Sequence, residues 1–193
     1  MKKVGLVLIV ALLIGFAAGC ISTPSGGTHT TSTTSTTSKA QPTNYVVVNG
    51  TKIYLNEIHF YMYGLKTCPH CRHMHEWIPK EYGNSSLTYY ELLNNETNMK
   101  LFAQISKLTG INGVPAIAIT YNGSLMAIME GEFNVTATPQ IIHAAMVNNG
   151  TLLFVGRAYI LPHKDPKAQK AIKELYDLFV KHEMPTNTTS QGG

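Results

Sequence analysis

The hexapeptide Lys66-Thr67-Cys68-Pro69-His70-Cys71 holds two of the chain's three cysteines, with two residues between them. An apolar run at residues 58–63 precedes it, and a helical pattern over residues 72–78 follows it. The order is therefore a buried strand, a C-x-x-C pair and a helix, which is the setting of a redox-active cysteine pair. Free backbone N–H groups and the dipole at a helix start stabilise an anion, so we expect the first thiol to ionise readily.

Composition limits the kinds of partner and the size of the fold. The 193 residues carry a net charge of +4, and only 13% are charged, with lysines scattered rather than gathered among aromatic residues. This pattern argues against nucleic acid as a partner. Besides the pair, the only cysteine is Cys20, so no structural disulfide framework can form outside the motif. Residues 44–183 carry the folding patterns and, at roughly 140 residues, suit one domain, whereas residues 184–193 are expected to be a disordered tail.

The first 20 residues have the shape of a signal peptide. Lysines at positions 2 and 3 precede an uncharged apolar stretch at residues 4–18, which is short for a membrane span. The small residues before Cys20 resemble a lipobox, which implies cleavage there and a lipid on the new N-terminal cysteine. The alternative is an uncleaved anchor helix that ends near Cys20. Both interpretations place the rest of the chain outside the cytoplasm, at the cell surface and tethered to a membrane.

A linker and a set of sequons agree with this location. Residues 21–43 are rich in Ser and Thr, with no large apolar residue after Ile21, so we expect a flexible stalk that is open to O-glycosylation. Asn-x-Ser/Thr sequons, which accept N-linked glycans, then recur along the chain. The alternative is that Asn and Thr are simply abundant in this composition. The seven candidate sites are Asn49, Asn84, Asn95, Asn122, Asn134, Asn149 and Asn187.

The domain begins with a hairpin, a strand and a helix. The hairpin spans residues 45–55 and turns at Asn49-Gly50, a strong hairpin signal. The strand at residues 58–63 is apolar at nearly every position, as expected when both faces are buried. The helix after the cysteines is expected to run to about Ile78 and to end or kink at Pro79.

The later elements continue the alternation of strand and helix. On the second helix, Met99, Phe102, Ile105 and Leu108 recur at helical spacing and predict an apolar face. The remaining predicted elements are a strand at 87–93, a helix between Asn95 and Gly110, strands at 115–121 and 125–130, a helix from 138 to 149, an added edge strand at 151–161 and a helix at 166–182. From residue 58 the order is β-α-β-α-β-β-α, with helices covering a mixed sheet.

The loop Gly110-Ile111-Asn112-Gly113-Val114-Pro115-Ala116, taken with the cysteine pair, resembles the thioredoxin family, in which such a loop contains a cis-proline. The Asn122-Gly123 turn and Gly131 also stand where that family has them. The resemblance covers about residues 58–149. It implies a thioredoxin fold, here with an N-terminal hairpin and a C-terminal helical extension. It also implies a cis peptide bond before Pro115, facing the cysteines, and a Val114 backbone that pairs with a substrate segment.

The resemblance implies roles for the motif residues as well. Cys68 would be the exposed nucleophile, and Cys71 would resolve the mixed disulfide. The Pro69-His70 centre resembles DsbA-like oxidants, in which the imidazole stabilises the thiolate and hence the reduced form. Such stabilisation makes the disulfide a stronger oxidant, about −120 mV in DsbA against about −270 mV in thioredoxin.

The expected function is therefore thiol–disulfide exchange, with a preference for disulfide formation. The partners would be protein thiols or disulfides, together with a redox partner that recharges the site. No cofactor is expected beyond the redox-active disulfide Cys68–Cys71.

The sequence departs from the family pattern at Met62 and at Thr67, and the first departure concerns the proton of Cys71. Met62 stands six residues before the first cysteine, where the family has a buried carboxylate, so Lys66, Glu57 or water would have to accept the proton. Thr67 replaces the usual Trp, and the residues around it are similar to those of glutaredoxins. The helical insertion of DsbA is missing between the second and third strands of the pattern.

The same residues fit a second class of function. Soft and imidazole ligands are dense around the motif, so a protein that handles copper or zinc is the alternative. These ligands are Cys68, His70, Cys71, His73, Met74 and His75. However, the three histidines cannot share one helix face, and structural zinc takes four ligands, so no metal site is assigned. A third interpretation is a binding module whose cysteines are inert.

Overall fold

A computed structural model describes residues 44–186 of the chain. They form a central six-stranded sheet flanked by helices and a separate two-stranded hairpin, so the mixed α/β class is confirmed. The elements are β1 Tyr45–Val48, β2 Thr51–Tyr54, β3 Ile58–Gly64, α1 Pro69–Tyr82, β4 Leu87–Glu91, α2 Glu96–Thr109, β5 Ala116–Tyr121, β6 Ser124–Glu130, α3 Thr138–Val147, β7 Gly150–Val155, β8 Arg157–Pro162 and α4 Pro166–Tyr176.

The central sheet has the strand order β4-β3-β5-β6-β7-β8. β3 and β4 are parallel and joined by α1, whereas β5 and β6 form an antiparallel hairpin beside β3. The expected succession β-α-β-α-β-β-α is therefore confirmed between β3 and α3. Gly64 lies beside Glu91 in the register of β3 and β4, so both strands end at the edge where α1 begins.

β3 divides the apolar core into two clusters, one on each face of the sheet. Phe60 and Met62 belong to the cluster that includes residues of α1 and α3, whereas Tyr63 belongs to the cluster that includes α2 and the C-terminal segment. Alternate residues of a strand point to opposite faces, so a strand covered on both sides needs apolar side chains throughout. This explains the uninterrupted apolar run before the cysteines.

The helix after the cysteines does not end at Ile78. α1 continues through Pro79 to Tyr82, so the expected end at this proline is wrong. Proline removes one backbone donor, but Pro79 lies in the last turn, where its own carbonyl still accepts a 2.8 Å hydrogen bond from the Gly83 N–H. Gly83 then ends the helix with a φ of +91°, which residues with a side chain rarely adopt.

Two strand predictions also need correction. The strand at 87–93 ends at Glu91, because Leu92 already belongs to the turn that leads into α2, where its carbonyl accepts from the N–H of Asn95. The single edge strand at 151–161 is instead the hairpin β7–β8, which turns at Gly156 with a φ of +66°. β7 pairs in parallel with β6, so this hairpin widens the central sheet.

The C-terminal segment after β8 is part of the second core cluster. α4 leads into a π-helical turn at Asp177–Lys181, in which Leu178 and Phe179 are fully buried. The carbonyls of these two residues accept hydrogen bonds from the hydroxyls of Tyr63 and Tyr90, at 2.8 and 3.0 Å. The segment is therefore tied to β3 and β4, the two strands that lead to the cysteines and to Glu91.

Several expectations concern residues outside 44–186. They are the signal peptide 1–20 with Cys20, the linker 21–43, Asn187 and the rest of the tail beyond it. Within the described residues, no helix is both long enough and apolar enough to cross a membrane. The membrane anchor stays a prediction from the sequence.

Candidate active site

Cys68 is the N-cap residue of α1. Its backbone is extended, with φ −78° and ψ 125°, and Pro69 follows in the first turn, where a missing N–H costs no hydrogen bond. The Cys68 sulfur accepts a hydrogen bond from the N–H of Cys71 at 3.4 Å. The half-buried Cys68 sulfur thus lies at the positive end of the helix, where a thiolate is stabilised by the backbone.

Cys71 lies one turn further along α1 and is only 1% exposed. Burial raises the pKa of the Cys71 thiol to about 12, and negative charge at Cys68 and Glu91 adds to the increase. Gly64 provides the space for this thiol, because a Cβ at that position would lie 3.1 Å from the Cys71 sulfur. The two cysteines are both free and differ sharply in their surroundings: one is accessible, whereas the other is enclosed.

The loop before β5 brings a backbone carbonyl to Cys68. The carbonyl oxygen of Val114 accepts from the Cys68 thiol at 3.8 Å, and the Val114–Pro115 peptide bond is cis, as the sequence predicted. Glu130 at the end of β6 holds the loop, since its carboxylate accepts from the N–H groups of Asn112 and Gly113, both at 2.8 Å. Pro115 is buried, and Val114 is half-buried.

A second glutamate holds the turn that leads into Cys68. The Glu91 carboxylate accepts from the N–H of Lys66 at 3.0 Å, from the N–H of Leu93 at 2.9 Å and from the hydroxyl of Tyr89 at 3.1 Å. Partial burial raises the pKa of Glu91, but these hydrogen bonds outweigh it and hold the pKa below its ordinary value. Glu91 and Glu130 therefore anchor the two loops between which Cys68 and Val114 meet.

Glu91 makes the stability of this turn depend on pH. Its pKa is lower in the folded chain than in the unfolded chain, so the ionised carboxylate stabilises the fold above the ordinary value of 4.5. That contribution is lost as the pH falls through the folded-state pKa. We expect Glu91→Gln to cost about 1 kcal/mol near pH 7 and progressively less towards about pH 3.

Urea unfolding of wild type and Glu91→Gln at neutral and acidic pH measures this difference. Glu96→Gln is the matched control, because Glu96 stands at the exposed start of α2 with its side chain 89% exposed. The control should lose no more than about 0.5 kcal/mol at any pH, because Glu96 makes only an exposed ion pair with Lys100. A Glu91→Gln deficit that stays constant with pH would contradict the role assigned to the carboxylate.

His70 pairs with a carboxylate of the loop after β6. Its Nδ1 atom lies 2.7 Å from the carboxylate of Glu132, and Nδ1 of His73 lies 3.4 Å from the other oxygen of the same carboxylate. Hydrogen bonds from His70 and then His73 lower the pKa of Glu132. His73 also stacks on Trp77 with ring centroids 5.7 Å apart. The sequence predicted that the His70 imidazole stabilises the Cys68 thiolate. In the structure, the same imidazole binds the carboxylate of Glu132.

The histidines of α1 separate onto different faces, as their spacing predicted. His70 and His73 meet Glu132, whereas the His75 ring lies edge-on against Tyr89 with centroids 5.1 Å apart. Across residues 44–186, no group of three or more His, Cys, Asp or Glu side chains has the arrangement needed to hold a metal ion.

Of the groups that the sequence offered for the Cys71 proton, Glu57 is in the wrong place. It precedes β3, whereas the cysteines follow it, and a strand of seven residues spans roughly 20 Å. Met62 is fully buried and has no proton to exchange. Lys66 is exposed, with its backbone N–H bound to Glu91.

An apolar groove borders the Cys68 side of the site. The cavity measures about 720 Å³, and its wall includes Leu65, Leu93 and Val114. Met99 also lines it and is 56% exposed, although the sequence predicted it on the apolar face of α2. Ile105 of that predicted face is fully buried, and Leu101 is buried beside it. Val114 contributes both to this groove and to the contact with Cys68, so the groove is continuous with the cysteines.

Sequence reasoning missed the three glutamates at this site: Glu91, Glu130 and Glu132. A signal for them was available, since each stands at or just after the end of a strand that runs parallel to β3. The carboxyl ends of such strands meet at one edge of the sheet, which is the edge that carries the cysteines. The predicted topology would therefore have placed these carboxylates near the motif.

The sequon asparagines are exposed at all six positions within the described part of the chain. Asn49, Asn122 and Asn149 have left-handed φ values of 46°, 48° and 45° and precede a glycine in a turn, which Asn tolerates better than most residues. The side chains of Asn95 and Asn134 instead cap helical turns. These five asparagines thus have local structural roles, and glycosylation stays a prediction.

No family model, curated protein or solved structure matches this chain. The chemistry of the site is therefore inferred from its own residues and their geometry.

Proposed function

We propose that this protein is a membrane-tethered, extracytoplasmic thiol–disulfide oxidoreductase of thioredoxin fold that acts on protein thiols and disulfides through Cys68 and Cys71. One observation carries the proposal. The accessible Cys68 sulfur lies at a helix N-terminus, where it accepts a hydrogen bond at 3.4 Å from the backbone N–H of the buried Cys71. The order of elements around the pair supports the thioredoxin fold. The Cys20 lipid anchor and the extracytoplasmic location belong to the proposal on the sequence evidence above.

In the oxidising direction, a substrate thiolate attacks the Cys68 sulfur of the Cys68–Cys71 disulfide. The bond between the two cysteines breaks, its electron pair passes to Cys71, and Cys71 takes up a proton. A second substrate thiolate then attacks the substrate sulfur of the mixed disulfide, and Cys68 leaves as a thiolate. The substrate loses two electrons and the protein gains them, so a redox partner must reoxidise the pair.

The groove and the Val114 backbone support a polypeptide substrate. Val114 brings its carbonyl oxygen within 3.8 Å of the Cys68 sulfur, at the end of an apolar cavity. An extended segment lying along this loop would place a cysteine at Cys68 and an apolar neighbour in the groove. The preference for oxidation rests on the helix N-terminus, which favours the reduced form of the protein, and on the resemblance of the Pro69-His70 centre to DsbA-like oxidants.

Equilibration with glutathione tests the proposal directly. The purified full-length chain is incubated in buffers of increasing oxidised-to-reduced glutathione ratio, and free thiols are alkylated and counted by mass. We expect a reversible two-electron transition of Cys68 and Cys71, together with catalysed oxidation of a reduced, unfolded protein. Thiols that never pair, or a pair without turnover in either direction, would contradict the proposal. Stoichiometric copper or zinc in the purified protein would instead favour metal handling.

A further inference from the structure

Cys71 needs a proton acceptor other than a buried carboxylate at position 62, because that position is Met62. In either direction of thiol–disulfide exchange Cys71 alternates between a protonated thiol and a disulfide sulfur, so one proton must enter or leave per cycle. Cys71 is 1% exposed, and Met62 behind it is apolar and fully buried. The partner must therefore be reached by another route.

A cavity of about 290 Å³ reaches Cys71 from the solvent side. Its lining residues bring polar or charged groups to an otherwise largely apolar wall, and it is large enough to hold several water molecules. His75 lies in its wall, four residues after Cys71 on the same face of α1, a spacing that brings Cβ atoms to about 6 Å. Besides Cys71, the lining residues are Lys66, Arg72, His75, Glu76 and Tyr89.

We propose that His75 exchanges the proton of Cys71 through water in this cavity. The proposal rests on the thiol–disulfide exchange proposed above. Imidazole is the side chain suited to take up and release protons near neutral pH. His75 is exposed, so it can pass the proton to bulk solvent.

The resolving step can be written with its atoms and electrons balanced. Cys68 is joined to a substrate sulfur in a mixed disulfide, and Cys71 is a thiol. Cys71 gives its proton through water to the His75 imidazole while its sulfur attacks Cys68. The bond between Cys68 and the substrate breaks, and the electron pair leaves with the substrate as a thiolate. In the oxidising direction the same relay returns a proton to Cys71 as it leaves Cys68.

The other titratable groups near this cavity are less suited to the transfer. Glu91 already accepts three hydrogen bonds, and protonating it would disrupt them. Tyr89 donates its hydroxyl to Glu91, and burial raises its pKa, so it stays a phenol. Three cations make the electrostatic potential in and near the cavity more positive: Lys66, Arg72 and, beyond His75, Lys80. Glu76 is the remaining acceptor and is tested beside His75.

His75→Gln is the test variant and His143→Gln is the matched control, because His143 lies on α3 and is not among the residues that line the cavity. A mixed disulfide with a model thiol is formed at Cys68, and its resolution by Cys71 is followed over a range of pH. We expect His75→Gln to slow resolution by about 10- to 100-fold near pH 7, in the range of lost general acid–base catalysis. Added imidazole should restore most of the rate, while His143→Gln resolves like the wild type.

Alkylation of Cys68 at an unchanged rate in His75→Gln shows that the first thiol and the fold are intact. Resolution at the wild-type rate in His75→Gln would overturn the proposal. Slow resolution in His75→Gln that added imidazole does not speed up would also overturn the proposal, because that result indicates a structural defect. Slowing in Glu76→Gln but not in His75→Gln would assign the proton to Glu76 and overturn it too. Absence of any exchange in the wild type would instead refute the proposed function.

Discussion

Cys68→Ser is expected to abolish thiol–disulfide exchange, whereas Cys71→Ser is expected to accumulate a mixed disulfide. The difference follows from position, since Cys68 is accessible at the start of α1 and Cys71 is enclosed beneath it. A serine hydroxyl is not ionised near neutral pH and forms no disulfide, so Cys68→Ser should lose at least about 1000-fold in rate. In Cys71→Ser the first exchange still occurs, but no second thiol releases the substrate.

Mass spectrometry and non-reducing electrophoresis measure both outcomes after incubation with a disulfide-containing protein. Cys68→Ser should show no adduct, and Cys71→Ser should show a stable one. Serine is a favoured N-cap residue, so Cys68→Ser should keep α1 intact and any loss of activity is chemical. Cys71→Ala is the control for burying a hydroxyl at position 71 and should trap the same adduct. An adduct that forms on Cys71 rather than Cys68 would reverse the assigned roles.

Phe179→Ala is expected to destabilise the whole domain by about 3–5 kcal/mol, because it removes a fully buried aromatic ring. The Phe179 ring lies edge-on to that of Tyr63, with centroids 5.5 Å apart, in the cluster shared by α2 and the C-terminal segment. Its backbone carbonyl also accepts from the Tyr90 hydroxyl. A cavity at this point would loosen the strands that carry Gly64 and Glu91, so exchange activity should fall with stability.

Equilibrium unfolding in urea measures the loss for Phe179→Ala. Val147→Ala is the control, since Val147 ends α3 with 70% of its surface exposed and should change stability by less than about 0.5 kcal/mol. A loss below about 1 kcal/mol for Phe179→Ala would mean that the C-terminal segment is peripheral to the domain. A single unfolding transition in both variants would support one cooperative unit.

Much of the fold was predictable because its signals are local. The apolar run of β3 indicated a strand covered on both faces, and the Asn-Gly pairs marked turns that the structure places at left-handed φ values. Asn95 and Gly110 bound α2 as expected, the first as its N-cap and the second in a left-handed conformation with a φ of 81°. Each of these signals depends on residues that are neighbours in the chain.

The misses arose where neighbouring residues left more than one outcome open. Pro79 was expected to end or kink α1, but the helix runs on to Tyr82, and the Pro79 carbonyl still accepts from the Gly83 N–H. Met99 was expected on the apolar face of α2 but is exposed, whereas Leu101 is buried, since helical spacing alone does not fix the centre of the buried face. The strand after α3 was predicted alone, although Gly156 folds it into a hairpin.

By itself the sequence determined the motif and its place between β3 and α1, because both depend on residues close together in the chain. The cis peptide bond before Pro115 was implied by the resemblance of its loop to a known family. Only the tertiary structure decided what surrounds the two thiols. It brings Glu91 and Glu130 to the two loops, pairs His70 with Glu132, and encloses Cys71 beside a cavity whose wall includes His75. These arrangements depend on which strand ends meet at one edge of the sheet, and strand pairing brings together residues far apart in sequence.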